Sequence, residues 1–143
     1  MNRNRLALLC LPILGSAACV SNTDVPAVSV WETTLNAALE YPDFGGQAAA
    51  VSEPSGTSVG ILVTGAEPGA AHVWGLRLGT CASPGTRIGP ATDYPELAIG
   101  AAGSAEAETH LGSRLSLEES YHVEVRAGAT DDSRVACGDL TAR

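Results

Sequence analysis

The side chains that could carry chemistry are few. His72, His110 and His122 are the chain's only imidazoles. Imidazole is the group most used to bind transition metals and to move protons near neutral pH. Redox metal chemistry needs several neutral ligands converging on one point. These three histidines lie on separate segments, and no two stand as an i, i+2 pair on one strand face. They offer at most a lone weak metal site built from His72 or His122 with acids; surface or hydrogen-bonded histidines are the simpler reading. Arg77, Arg126 and Arg134 stay protonated and repel cations. Glu118-Glu119 and Asp131-Asp132 lack the ligand cadence of a calcium loop and read as solvated loop acids. No glycine-rich phosphate loop precedes a helix. No nucleophile elbow is present, and Gly56-Thr57-Ser58 reads as part of a turn. The residues alone therefore assign no catalytic group, no metal site and no cofactor.

The four cysteines are Cys10, Cys19, Cys81 and Cys137. Arg3 and Arg5 precede a charge-free run of 13 residues, Leu6 to Ala18, which ends in Gly15-Ser16-Ala17-Ala18-Cys19. A basic start, a short apolar stretch and small residues before a cut describe a secretory signal peptide. The run is shorter than the roughly 20 apolar residues of a spanning helix. Residues 1–18 are therefore expected to be a signal peptide and Cys19 the lipidated first residue of a tether over 19–27. An ordinary cleavage near Ala18 is the alternative, since Ser16 stands where lipoprotein signals usually have Leu. Val20 carries no acidic retention signal, which by resemblance to known lipoprotein sorting favours the outer membrane. Cys10 leaves with the signal. Cys81 and Cys137 then remain as a pair in an oxidising compartment, either as a disulfide or as two buried thiols.

The elements that must position these residues read as strands. Short apolar runs cut by Gly, Pro, Asp and Ser suit a sandwich or barrel. Strands are expected near Val28–Leu39, Gln47–Ser52, Thr57–Thr64, His72–Leu78, Glu96–Ile99, Ser104–Thr109, Tyr121–Ala127 and Arg134–Cys137. Glu53-Pro54-Ser55-Gly56 suits a hairpin turn, and Gly65-Ala66-Glu67-Pro68-Gly69 another connection. Ala82 to Pro95 reads as the longest loop, and Leu115 to Ser120 as at most one helical turn. Alternation assigns Trp74, Leu76 and Leu78 to the core together with Tyr121, Val123, Val125 and Ala127. Gly75, Arg77, His122, Glu124 and Arg126 fall on the opposite face. The expected fold is all-β, a Greek-key β-sandwich or barrel of about eight short strands with one disulfide, spanning 28–143.

Charge narrows the partners. The formal net charge is −8, with no Lys. Loss of Arg3 and Arg5 with the signal takes it to −10. An acidic domain with scattered arginines does not match a nucleic-acid surface, where phosphate neutralisation dominates. Anionic lipid is disfavoured for the same reason, so membrane attachment falls to the lipid on Cys19.

Three stretches resemble the copper/zinc superoxide dismutase superfamily and its bacterial envelope relatives. They are Gly65-Ala66-Glu67-Pro68-Gly69 with His72-Val73-Trp74-Gly75-Leu76-Arg77-Leu78-Gly79-Thr80-Cys81; Tyr121-His122-Val123-Glu124-Val125-Arg126; and Ser133-Arg134-Val135-Ala136-Cys137-Gly138-Asp139-Leu140. The Arg-x-Ala-Cys-Gly end is the most specific. The resemblance spans roughly Leu35 to Leu140 and implies the same sandwich and a Cys81–Cys137 bridge. It also implies a metal site that this chain has lost. Gly75 and Arg77 stand where the family places two copper histidines at i and i+2, and Arg126 stands where it places another. Ala82 to Pro95 has no His and one acid, Asp93, where the zinc loop belongs. Arg134 matches the family's anion-guiding arginine, and a salt bridge to Glu124, Asp131 or Asp132 is its simpler role.

The functional expectation is an exported, lipid-anchored protein of the bacterial envelope, facing the periplasm or held at the outer membrane. Its domain is expected to be a non-catalytic interaction or binding module for an envelope protein or small anion. The rivals are a divergent copper-dependent dismutase and a purely structural surface lipoprotein. Arg77, Arg126 and Arg134 are expected to share Glu124. If the acids pair them off, the place is a closed salt-bridge cluster; if not, it is an anion pocket.

Overall fold

The computed structural model describes residues 27–143. The expected signal peptide, Cys10, Cys19 and nearly all of the tether lie outside those residues. Ten antiparallel strands form the domain: β1 (Ser29–Ala37), β2 (Gly45–Glu53), β3 (Gly56–Thr64), β4 (Ala71–Gly79), β5 (Pro84–Arg87), β6 (Leu97–Ala98), β7 (Ala105–Leu111), β8 (Tyr121–Arg126), β9 (Arg134–Asp139) and β10 (Thr141–Ala142). They run in the order β5-β4-β8-β9-β1-β2-β3-β7, with β10 on β1 and β6 on β4. The β3–β4 and β7–β8 connections pass from one end of this order towards the other, as Greek-key chains do.

Strand β1 joins two halves. Ser29 to Leu35 pair with β2, whereas Asn36 and Ala37 pair with β9. The sheet curls around one core in which Trp31, Leu35, Val59, Ile61, Val63, Trp74, Leu76, Val123 and Val125 are buried. The edges approach through the 88–97 segment rather than through a ladder. Thr109 Oγ1 donates to the Asp93 carbonyl at 2.5 Å, Trp74 Nε1 donates to the Pro95 carbonyl at 2.7 Å, and Tyr94 stacks edge-on against Trp74 at 5.1 Å. Burial pushes the Tyr94 hydroxyl above its ordinary pKa. These contacts cover strand edges that would otherwise present unpaired amides.

The alternation predicted the core-facing set on β4 and β8, but two segments differ, while the single turn expected at Leu115 to Ser120 is present. The stretch 82–95 is structured, holding β5 and a 3₁₀ turn at Ala91–Asp93. Its small and Pro-rich composition hides a short edge strand that depends on pairing with β4 rather than on propensity. Gly56 to Ser58 open β3 instead of belonging to the turn, which is Pro54-Ser55 alone. Leu115 to Ser120 form one hydrogen-bonded turn, Glu119 N–H to Ser116 O at 3.3 Å, without helix.

Cys81 and Cys137 are joined, with Cα atoms 5.9 Å apart and a sequence separation of 56. The bond ties the segment after β4 to β9. Gly79, at φ +82°, turns the chain there; a Cβ at that position would meet the Ser83 carbonyl at 2.4 Å. Closing a loop of this length restricts the unfolded chain by about 4 kcal/mol on the entropy model. Cys137→Ser should therefore lower the unfolding free energy by about 2–4 kcal/mol in urea titration. Mass spectrometry of the protein purified without reductant from an oxidising compartment should find neither thiol open to alkylation, and two free thiols would contradict the bridge.

Candidate functional site

Strands β4, β8 and β9 set out a grid on the sheet's outer face. Their registers make three rows: Arg77–His122–Asp139, Gly75–Glu124–Cys137 and Val73–Arg126–Arg134. The third row needs an irregularity. The pairing of β8 with β9 shifts between Val125 and Arg126, so Val135 is passed over. Both Val135 and Ala136 are consequently buried in the core. A β-bulge of this kind resets the alternation and brings Arg134 to the outer face beside Arg126.

Glu124 sits at the centre, 3% exposed. Its Oε1 receives Arg126 Nε at 2.5 Å and lies 3.3 Å from Arg77 Nε. Its Oε2 receives Arg134 Nε at 3.1 Å, with Nη2 at 3.0 Å. Arg126 continues to Asp132 at 2.6 Å. The arginines also hold the overlying chain. Arg77 Nη1 donates to the Gly85 carbonyl at 2.9 Å, and Arg134 Nη1 to the Cys81 carbonyl at 2.8 Å. The Cys81 amide donates to Asp139 at 2.6 Å. The segment 79–87 is thus fixed over β8, and this is why β8 is buried on both faces.

Gly75, directly opposite Glu124, leaves that neighbouring position without a side chain. Arg87 from β5 uses the space: a Cβ on Gly75 would lie 2.9 Å from Arg87 Cδ. A cleft of about 20 Å³ remains, lined by Gly75, Arg77, Arg87, Glu124 and Arg126 with Val73 and Trp74. Arg87 belongs to this face but stands in a stretch that reads as loop, so its place was not legible. Only the β4–β5 register, Arg77 opposite Arg87, reveals it.

Burial pushes the Glu124 carboxyl up. The hydrogen bond and charge of Arg126, the charge of Arg77 and the hydrogen bond of Arg134 outweigh it and hold the group below the ordinary glutamate value. Burial likewise pulls Arg126 down, and its bonds to Glu124 and Asp132 more than reverse this. The hydrogen bond from Ser133 holds Asp131 below its ordinary value.

The histidines do not meet. His72 is buried edge-on against Phe44 at 5.5 Å and bonds the Ala127 carbonyl through Nδ1 at 3.2 Å. His110 lies exposed beside Ser58. His122 is fully buried, with Nδ1 3.1 Å from the Gly79 carbonyl and Nε2 without a hydrogen-bond partner. Among the described residues no group of three His, Cys, Asp or Glu side chains is placed to hold a metal. Gly75, Arg77 and Arg126, the positions at which the resemblance implies copper ligands, supply a bare backbone and two guanidiniums. These donors do not fit copper, and Arg126 and Arg77 would repel it. The larger concavity, about 980 Å³, lies elsewhere, on the open outer face of β1, β2, β3 and β7. It is paved by Ala49 and Gly60 and edged by Glu32, Glu106 and Glu108, with the Arg143–Glu32 ion pair at one side.

No protein-family model and no curated protein matches the sequence.

Glu124→Gln leaves three guanidiniums facing one another around a neutral amide. The cost should be about 3 kcal/mol, the low end for breaking a buried pair because the arginines keep partial contact with water. Since Glu124 is held below its ordinary value, its contribution is complete above about pH 4.3 and is lost as pH falls through the lowered value. Urea unfolding from pH 6 to 2 should show the wild type and the variant converging in stability towards the acid end. A constant gap across that range would contradict the assignment.

Proposed function

We propose that the chain is an exported, lipid-anchored envelope protein whose dismutase-like β domain works as a non-catalytic interaction or binding module. One observation carries the reading. Where the resemblance calls for convergent imidazoles, this domain has a guanidinium–carboxylate cluster centred on Glu124. Arginine presents planar forks suited to carboxylate and phosphate rather than electron pairs for a metal. The signal-like run before Cys19 and the disulfide between Cys81 and Cys137 are both in keeping with an oxidising compartment. An overall charge of −8 argues against a surface that binds nucleic acid or anionic lipid. The lipid on Cys19 would then supply the attachment, with the outer membrane the destination suggested by Val20.

Two measurements test the reading. Protein purified from the envelope should carry no stoichiometric copper and show no dismutase activity; finding both would overturn the module and restore a catalytic reading. Cys19→Ala should move the chain from the membrane to the soluble fraction. Unchanged fractionation, or a mature N-terminus at another residue, would defeat the lipid anchor.

A further inference from the structure

The arginines are not scattered in space. Of the chain's eight, Arg3 and Arg5 precede the described residues, and of the other six, four converge on one outer face: Arg77, Arg87, Arg126 and Arg134. The carboxylates in ion pairs with them are Glu124 and Asp132. Four positive charges thus meet two negative ones, in a chain that is acidic as a whole. The imbalance sits at the cleft. Arg87 is exposed and, among the described residues, makes no ion pair or side-chain hydrogen bond. Arg77 and Arg126 each engage Nε and Nη1 with protein and leave Nη2 without a protein acceptor.

We propose that this cleft binds a single carboxylate group between Arg87 and the Nη2 groups of Arg77 and Arg126. The inference deepens the binding-module reading and rests on it. A space of about 20 Å³ admits roughly one oxygen-sized atom. A planar carboxylate can lodge one oxygen there and offer the other to the outer fork. The guanidiniums attract an anion, and Glu124 repels it, each in proportion to its charge, so charge does not select the carboxylate. The narrowness of the cleft does: it admits one oxygen of a planar carboxylate more readily than a tetrahedral phosphate. The carboxylate can come from a small free acid or from the C-terminus of a partner polypeptide.

The test uses the full mature chain at pH 7 and constant ionic strength, with NMR of the arginine Nε–H groups during titration. Sodium acetate should shift the Arg87 and Arg126 signals saturably, and sodium phosphate should bind more weakly. Arg87→Gln should raise the half-saturating acetate concentration about tenfold. Because Arg87 is exposed and outside the Glu124 pairs, the variant should keep the Arg126 signal and the thermal midpoint of the parent. Non-saturating shifts, phosphate binding tighter than acetate, or an unchanged affinity in Arg87→Gln would each overturn the site. A short peptide with a free C-terminal carboxylate, compared with its amidated form, separates the two sources. A free-carboxylate peptide much tighter than acetate points to a partner protein, and equal affinities point to a small acid. Metal-free protein without saturable acetate binding would remove this site alone, whereas copper with dismutase activity would remove the module reading itself.

Discussion

A carboxylate that is 3% exposed must have its charge answered nearby, and the outer face of β4, β8 and β9 is organised around that requirement. Glu124 lies in the central row of the central strand, so counter-charges can reach it from three directions. Arg126 comes from two residues along its own strand, Arg77 diagonally from β4, and Arg134 from β9. The last approach exists only because the bulge at Val135 turns Arg134 outward. Gly75 opposite the carboxylate completes the arrangement by leaving room. The cluster does not make the fold stable in the ordinary sense, because desolvation of buried charges offsets most of their attraction. Its energetic weight is conditional: each member is inexpensive in company and costly alone.

The same residues bind the segment 79–87 to the sheet, which ties the ionic and covalent restraints together. The disulfide anchors that segment at Cys81, and Cys137 stands in the same row as Glu124. Arg134 and Arg77 then reach from Glu124 to the carbonyls of Cys81 and Gly85. The segment in turn excludes water from Glu124 and His122, strengthening the ion pairs beneath it. Opening the disulfide would relax the cover, and losing Glu124 would loosen the arginines that hold the cover down. The two restraints are therefore expected to be coupled rather than additive.

How much of this could be read in advance depends on the range of the interaction. Period-2 alternation in Tyr121 to Arg126 separated Tyr121, Val123 and Val125 from His122, Glu124 and Arg126, because that signal is local to one strand. Face assignment put Glu124 on one side with Arg77 and Arg126, whereas Arg134 joined them only through the family resemblance. The complete burial of Glu124 and His122 was not, since it depends on a remote segment folding over them. Arg87 was invisible because β5 has little strand propensity and exists through its pairing with β4. The bulge at Val135 left no mark either: Arg134-Val135-Ala136-Cys137 alternates acceptably in either register, and only packing decides that both Val135 and Ala136 enter the core. The cysteines were easier, since the expected loss of Cys10 with the signal and the expected lipidation of Cys19 left only two to pair.

The charge distribution has a consequence for what can approach the face. At physiological ionic strength electrostatic influence between exposed groups fades beyond about 8 Å. A large polyanion therefore meets the repulsion of an acidic molecule over most of its contact area, with attraction from one small patch. A small anion inside the cleft would have the guanidiniums of Arg77, Arg87 and Arg126 and the carboxylate of Glu124 as its nearest charged neighbours. The acidic exterior and the arginine cluster thus act at different scales. The first opposes the approach of large polyanions, and the second is the proposed seat of one compact negative group. Glu124 neutralises enough charge to let three arginines coexist, and the narrowness of the cleft rather than its charge limits what could enter to a single planar group.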